Sequence, residues 1–218
     1  MKNIMFIAPP AAGKGTQSEI FSKKYNLPHI STGDIFREIA REDSEVGEYI
    51  RETLKNGDLV KDEITYQLIK DRLAKDDCKK GYIIDGFPRN LEQAKEYDKI
   101  LESLGYDIGK VILLDIDKEV LEKRITGRRV CESCNATYNI NDEDNKPKEE
   151  SICDKCGGKL YQREDDNINS FNNRYDTYLE KTSPLLDYYK KKKVLYKVDG
   201  SLSVEEVSKE IEKVISGD

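Results

Sequence analysis

The chain has 218 residues, of which 37% are hydrophobic and 37% are charged, enough for one substantial core with a small inserted domain. Its net charge of −6 argues against a general nucleic-acid-binding protein, whose surface would be basic. No apolar run is long enough to cross a membrane, so we expect no membrane partner. No charged and apolar leader precedes the first predicted strand, which makes the cytoplasm the expected location.

The first predicted elements are a strand, a tight loop and a helix. The apolar residues 3–7 lead into Ala8-Pro9-Pro10-Ala11-Ala12-Gly13-Lys14-Gly15-Thr16, and Ile20, Phe21 and Tyr25 mark the helix. A phosphate-binding loop has this order, because the N–H groups at a helix N-terminus attract anions and Lys14 adds a full charge. The alternative is a capped helix whose lysine is merely solvated.

Strands and helices alternate along the rest of the chain. The further predicted strands are residues 29–30, 82–84, 111–116 and 194–198, and one of the helices between them runs from about 171 to about 192 and is bent or interrupted near Pro184. Ser31 to Asp34 offer N-caps to one helix, and Gly57 ends the next. This alternation predicts an α/β fold with a parallel sheet, whose ligands bind beyond the carboxyl ends of the strands.

The cysteines predict a metal site. Two C-x-x-C pairs, separated by eighteen residues, are formed by Cys131, Cys134, Cys153 and Cys156. This spacing favours a tetrahedral structural Zn²⁺ over disulfides, although iron also binds four thiolates. Two redox-active motifs would lack the expected strand–helix context. The remaining Cys78 is interpreted as a surface or partly buried thiol.

Four motifs follow one another in a characteristic order. They are Ala12-Gly13-Lys14-Gly15-Thr16, Ser31-Thr32-Gly33-Asp34 with Arg37, Asp85-Gly86-Phe87-Pro88-Arg89 with Gln93, and Gly127-Arg128-Arg129. Together they resemble the adenylate kinase family of nucleoside monophosphate kinases, from residue 1 to about 215. The cysteine segment resembles the long, zinc-bearing lid of many bacterial members.

The resemblance implies a fold and a reaction. The fold would be a P-loop NTPase-like parallel five-stranded sheet flanked by helices (core 1–30, 61–126 and 165–218), with a small helical AMP-binding domain (31–60) and a zinc-bearing lid (127–164). The reaction would be reversible phosphoryl transfer from Mg-ATP to AMP, giving two ADP, in nucleotide homeostasis and purine salvage. The cofactors would be Mg²⁺ with ATP and a structural Zn²⁺, and the protein would be a monomer.

The resemblance also implies roles for residues at matching motif positions. ATP would be bound by Ala11, Ala12, Gly13, Lys14, Gly15, Thr16, Arg124, Arg128, Thr137, Tyr138 and Leu202. AMP would be bound by Thr32, Arg37, Asp58, Leu59, Val60, Gly86, Phe87, Pro88, Arg89, Gln93, Arg163 and Arg174. The catalytic set would be Lys14, Asp85, Arg89, Arg128, Arg163 and Arg174, with Asp85 as the carboxylate for Mg²⁺. Arginine suits these roles because its planar fork matches phosphate oxygens.

Several interpretations stay open at this stage. Thr32 and Gln93 favour AMP, but a kinase for another nucleoside monophosphate is an alternative, as is a zinc-ribbon binding protein on a degenerate nucleotide-binding core. Taken singly, each arginine could be a solvated surface cation, and Asp165-Asp166 could be a helix-capping pair. His29 is interpreted as structural, and Thr137-Tyr138 could simply pack against the zinc site.

Two residues depart from the family's pattern. Ala8 and Ala11 stand where glycine is usual. If either backbone must adopt a positive φ, alanine costs on the order of 1 kcal/mol or more in strain, which would reduce ATP affinity or turnover.

Overall fold

The main sheet of the protein has five parallel strands. The computed structural model describes residues 2–143 and 145–217. Numbered in chain order, the strands of this sheet are β1 (Lys2–Ile7), β2 (His29–Ser31), β3 (Gly81–Asp85), β4 (Lys110–Asp115) and β8 (Leu195–Asp199), and their spatial order is β2-β3-β1-β4-β8. The predicted parallel α/β fold is confirmed.

The inner strands are buried on both faces. Tyr82 and Ile84 of β3 point into one apolar cluster and Ile83 points into another, because alternate residues of a strand face opposite sides of the sheet. Helices cover both faces, so the strands are almost continuously apolar, as parallel strands usually are. This double burial fixes the strand ends and the loops that follow them.

Helices α1 to α9 connect and cover the strands. Their bounds are Lys14–Tyr25, Thr32–Ile39, Glu45–Asn56, Asp62–Leu73, Leu91–Leu104, Lys118–Gly127, Ile168–Thr177, Pro184–Lys191 and Val204–Ser216. The predicted interruption near Pro184 is confirmed: a π-helical turn over Tyr178–Thr182 separates α7 from α8, and Pro184 opens α8. None of the described helices is long and apolar enough to cross a membrane.

Two parts of the chain have small apolar clusters of their own. Around α2 and α3, the buried side chains of Phe36, Ala40, Ile50 and Val60 form one. Ser31 caps α2 by accepting a hydrogen bond from the Asp34 N–H, and Gly57 ends α3 with a φ of 78°, as the sequence predicts.

The other small cluster belongs to a three-stranded antiparallel sheet. Its strands are β5 (Arg128–Cys131), β6 (Thr137–Asn139) and β7 (Leu160–Tyr161), in the order β6-β5-β7. The buried residues there are Cys131, Ala136, Tyr138, Cys153 and Leu160. So small a core cannot stabilise a segment of this length, which makes an additional cross-link necessary.

The interpretation of Cys78 as a surface or partly buried thiol is wrong. Cys78 is fully buried in the main core, because a 3₁₀ turn over Asp76–Lys80 points its side chain inward while its charged neighbours face the solvent. An N–H group of Arg72 lies 3.1 Å from its sulfur.

Candidate active site

The site lies at the carboxyl ends of three neighbouring strands. β3 lies between β2 and β1, and Asp85 is in register with Ser31 on one side and Phe6 on the other. The loop that follows β1 therefore meets the residues that follow β2 and β3 at one edge of the sheet. Sheet order thus brings together motifs that are far apart in the sequence.

The phosphate loop has two residues in the left-handed region. Helix α1 starts at Lys14, directly after Gly13, whose φ is 89°, and Ala11 has a φ of 64°. Glycine adopts such angles without strain, whereas alanine does not. Ala8 is not among the residues with a positive φ, so the strain expected from the two alanines applies to Ala11 alone.

The positive side chains of the site are close enough to perturb one another. Burial lowers the pKa of Lys14 to about 8, Asp85 opposes that shift, and the charges of Arg89, Arg174 and Arg128 add to it. Burial and the neighbouring Arg174 lower the pKa of Arg89 to about 10. A site that holds several cations at this density favours a polyanionic ligand.

Asp85 is a buried carboxylate among these cations. Burial alone would favour its neutral form, but a hydrogen bond to His29 and the charge of Lys14 outweigh burial and hold its pKa below the usual range. His29 is half-buried, and its Nε2 lies 2.6 Å from Oδ2 of Asp85. The histidine that the sequence suggested to be structural therefore supports the carboxylate predicted to hold Mg²⁺.

Asp165 and Asp166 pair with two of the predicted catalytic arginines. Arg174 donates to Asp165 at 2.8 Å, and Nε of Arg128 donates to Asp166 at 2.8 Å. The Asp166 side chain is 0% exposed. The cap of α7 is instead Asn167, which accepts from Ser170 N–H, so the interpretation of the two aspartates as a capping pair is wrong. Nothing in the sequence distinguishes them from the other acidic residues of this polar segment.

A third carboxylate connects the AMP-binding and lid segments that the sequence predicts. Asp34 accepts from Arg37 at 2.5 Å, and Arg163 lies 3.9 Å from the same oxygen. Burial, which raises the pKa of Asp34, is outweighed by the charge and hydrogen bond of Arg37 and by Arg163, so its pKa is lowered. In this conformation Arg37, Arg128 and Arg174 each donate to a carboxylate.

Two of the predicted AMP-binding residues each have a buried polar side-chain atom with no hydrogen-bond partner among the described residues. These atoms are Oγ1 of Thr32 and Nε of Arg163. A Cβ on Gly86 would lie 2.5 Å from the Thr32 hydroxyl and 3.2 Å from Arg89, so these AMP-binding candidates are in close proximity. Unpaired buried polar groups are rare in folded proteins, and here they point to a polar ligand.

Gln93 and Arg89 form a second part of the predicted AMP site. Gln93 is 2% exposed, and its Oε1 accepts from the Arg89 backbone N–H at 2.7 Å. Nε of Arg89 donates to the carbonyl of Gly86 at 2.7 Å. The guanidinium is thereby held beside the loop that follows β3.

The cavity between these groups is small. Its volume is about 60 Å³, and its lining includes Lys14, Arg89 and Arg174 together with Leu59, Gly86 and Pro88. Ligand pockets are usually several hundred Å³. In this conformation the cavity is therefore smaller than a nucleotide site usually is.

The other predicted site residues have varied surroundings. Arg124 donates to the carbonyl of Gly200 at 2.9 Å, which places it at the end of β8. Leu202 is exposed, and Phe87 and Val60 are buried. Tyr138 is also buried, with its hydroxyl 3.4 Å from the sulfur of Cys153.

The four predicted metal ligands come together. The sulfur atoms of Cys131, Cys134, Cys153 and Cys156 all lie within 4.8 Å of one another. The sulfurs of Cys131 and Cys156 lie 3.5 Å apart, and those of Cys134 and Cys153 lie 3.6 Å apart. Sulfurs bound to one zinc ion at 2.3 Å would be roughly 3.8 Å apart. The four donors thus fit a tetrahedral metal.

Comparison with known proteins identifies the family. The family model for adenylate kinase matches residues 6–194. The chain belongs to the adenylate kinase family. An adenylate kinase from Caldanaerobacter subterraneus subsp. tengcongensis is 47% identical over 99% of this chain and 96% of its own length. Those from Thermosipho africanus and Archaeoglobus fulgidus are 47% and 46% identical, each over 98% of this chain and over 99% and 97% of their own lengths.

Proposed function

We propose that the protein catalyses reversible transfer of a phosphoryl group between Mg-ATP and AMP, with two ADP as the products. The observation that carries this proposal is the convergence of Arg89, Arg128, Arg174 and the buried Asp85 around Lys14 in a chain of the adenylate kinase family. Phosphoryl transfer depends mainly on positioning and charge neutralisation, which such a cluster supplies. No general base is required, because the nucleophile is already a phosphate oxygen of AMP.

The proposed roles follow the positions at which this chain matches the motifs of the family. Residues 11–16 hold the ATP phosphates with the N–H groups at the start of α1, and Arg124, Arg128, Thr137, Tyr138 and Leu202 add contacts to ATP. The Thr32 hydroxyl, Arg37, residues 58–60, residues 86–89 and Gln93 receive AMP. Asp85 is the carboxylate for Mg²⁺, which keeps most of its waters and stabilises charge on the transferring group. Arg163 and Arg174 complete the arginine cage.

Two small parts that move relative to a core would account for the small cavity. We assign residues 31–60 to an AMP-binding domain, residues 127–164 to a lid, and the remainder to the core. The separate apolar clusters around α2–α3 and β5–β7 support rigid movement of the two small parts. The hinges of the lid would be near Gly127 and residues 163–166. Closure excludes water, which would otherwise hydrolyse ATP.

We assign a structural zinc ion to the four cysteines. Four thiolates complete a tetrahedron and leave no position for a substrate. In this role the metal makes the small polar lid one rigid body. We further propose that the enzyme acts as a monomer in the cytoplasm.

Steady-state turnover with ATP and each nucleoside monophosphate tests the proposal. AMP should be the preferred acceptor, with ADP as the product. Lys14→Met should lower kcat about 10²–10³-fold through lost charge stabilisation, whereas Lys24→Met, on the exposed end of the same helix, should leave it unchanged. Failure to form ADP from AMP would contradict the assignment, and faster turnover of UMP or CMP would redirect it to another acceptor.

A further inference from the structure

The side-chain amide of Gln93 is held at both ends. Its Nε2 donates to Oδ1 of Asp62 at 2.6 Å, and its Oε1 accepts from the Arg89 backbone N–H at 2.7 Å. Only the NH₂ group of the amide can donate to a carboxylate, and only its oxygen can accept from an N–H. The two partners therefore fix which end of the amide is which.

Asp62 is itself held in place. It lies in the first turn of α4, and Tyr66 donates to its Oδ2 at 3.3 Å. Nδ2 of Asn90 lies 3.4 Å from both carboxylate oxygens, while Oδ1 of Asn90 caps α5 by accepting from the Gln93 backbone N–H at 2.7 Å. Asp62, Asn90 and Gln93 therefore form one connected hydrogen-bond network between α4 and the start of α5.

The network leaves part of the hydrogen-bonding capacity of the Gln93 amide unused. A primary amide has two N–H donors and two acceptor lone pairs. With one of each used by Asp62 and Arg89, Gln93 retains one donor and one acceptor in a fixed arrangement. Adenine presents an amino donor beside a ring-nitrogen acceptor, whereas hypoxanthine, guanine and uracil present a carbonyl beside an N–H, which is the reversed pattern. A freely rotating amide could turn over and pair with either.

We propose that Asp62 is a positioning residue for base specificity: its carboxylate prevents the Gln93 amide from turning over, so that the site accepts adenine and rejects bases with the reversed pattern. This inference rests on the proposed function, in which Gln93 is one of the residues that receive AMP, and it assigns the contact of Gln93 to the base. Asp62 itself touches no substrate in this role. It acts through Gln93, because the reversed amide would place an oxygen against a carboxylate, and two acceptors repel.

The test compares AMP with IMP, which differ only at the hydrogen-bonding edge of the base. In Asp62→Asn the new amide can present either an oxygen or a nitrogen to Gln93, so that only the Arg89 backbone N–H still opposes the reversed orientation. We expect the ratio of kcat/KM for AMP to that for IMP to fall about tenfold, the value of roughly one hydrogen bond. The KM for ATP should not change. Asp62→Glu, which keeps the charge, should retain the larger part of the wild-type ratio.

Two controls separate this role from a structural one. Glu63→Gln removes an exposed charge from the same first turn of α4 and should leave the AMP-to-IMP ratio unchanged. Gln93→Leu should abolish the preference for AMP over IMP, because the side-chain amide that pairs with the base is absent. A partly unfolded Asp62→Asn enzyme would lose turnover of both substrates equally, so the ratio reports on the active molecules alone.

The outcomes are distinct. An active wild type whose ratio is the same in Asp62→Asn would overturn the role of Asp62, as would a ratio unaffected by Gln93→Leu. A wild type that forms no ADP from AMP would instead contradict the proposed function itself.

Discussion

His29 and Asp85 join the second and third strands at the edge of the sheet where the phosphate loop lies, with 2.6 Å between Nε2 and Oδ2. Burial, which lowers the pKa of His29, is outweighed by its hydrogen bond and ionic attraction to Asp85, so the pKa is raised above its ordinary 6.5. The pKa of Asp85 is lowered. Both shifts show that the charged pair is favoured in the folded protein.

The first prediction is a pH-dependent contribution to stability from this pair. The stabilisation from His29 is fully present below its unfolded pKa of about 6.5 and is lost as pH rises through the raised folded pKa. His29→Gln should therefore lower the free energy of unfolding by about 1 kcal/mol near pH 5 to 6 and by less near pH 9. Urea denaturation of both proteins at each pH measures this, and a difference that is constant with pH would rule it out.

The second prediction concerns the left-handed backbone at Ala11. Ala11→Gly should relieve about 1 kcal/mol of strain and raise the melting temperature by about 2–4 °C. Ala8→Gly is the matched control, because Ala8 has no positive φ and glycine there only adds freedom to the unfolded chain. The melting temperatures of the two variants should shift in opposite directions from that of the wild type. Equal shifts would mean that strain at Ala11 is not the cause.

The third prediction concerns ATP affinity and Lys14, whose pKa of about 8 leaves its amine neutral in the free enzyme at higher pH. Phosphate groups favour the charged amine, so ATP binding should raise this pKa and take up a proton. Above about pH 8 the affinity should fall by up to about tenfold per pH unit. Titration calorimetry in two buffers of different ionisation enthalpy measures the proton uptake. Lys14→Met should bind weakly without this added pH dependence.

The fourth prediction concerns the buried pair of Arg128 and Asp166. Removing the carboxylate leaves the arginine charge uncompensated, so Asp166→Ala should lower the free energy of unfolding by about 3 kcal/mol. Glu164→Ala, two residues away and exposed, should change it little. Denaturant titration at constant ionic strength gives both values. A small loss in Asp166→Ala would mean that water or another anion replaces the carboxylate.

The fifth prediction concerns the four cysteines. Metal analysis should find one zinc ion per chain in the wild type and in Cys78→Ser, and less in Cys134→Ser. Removing zinc with a chelator should lower the melting temperature, yet phosphoryl transfer with Mg²⁺ should persist at low temperature. Complete loss of turnover at low temperature in folded, zinc-free enzyme would assign the metal a chemical role.

The sequence predicts the sheet well because its strands are short apolar runs, and parallel strands buried on both faces must have that composition. It also predicts which arginines belong to the candidate site, because several of them lie in motifs that follow one another in a recognisable order. The four cysteines are also readily predicted as metal ligands, since two C-x-x-C pairs at that spacing are typical of a tetrahedral metal site.

The carboxylates that hold these arginines were not predicted. Asp165 and Asp166 lie in a polar segment where every acidic residue resembles a solvated one, and only the folded chain brings Asp166 against Arg128. The sequence also does not show which of Ala8 and Ala11 has the positive φ. Both stand where glycine is usual, and only the folded loop distinguishes their backbones. Burial of Cys78 depends on a turn whose flanking charges suggest a surface.

The carboxylates of Asp34, Asp165 and Asp166 affect the binding and release of nucleotides. Under the roles proposed for the arginines, incoming phosphate oxygens exchange with carboxylate oxygens that already contact them, instead of entering an empty cationic pocket. Each exchange replaces one ionic contact by another, so we expect the net gain in free energy to be modest. A modest net gain favours release of the two ADP molecules after phosphoryl transfer.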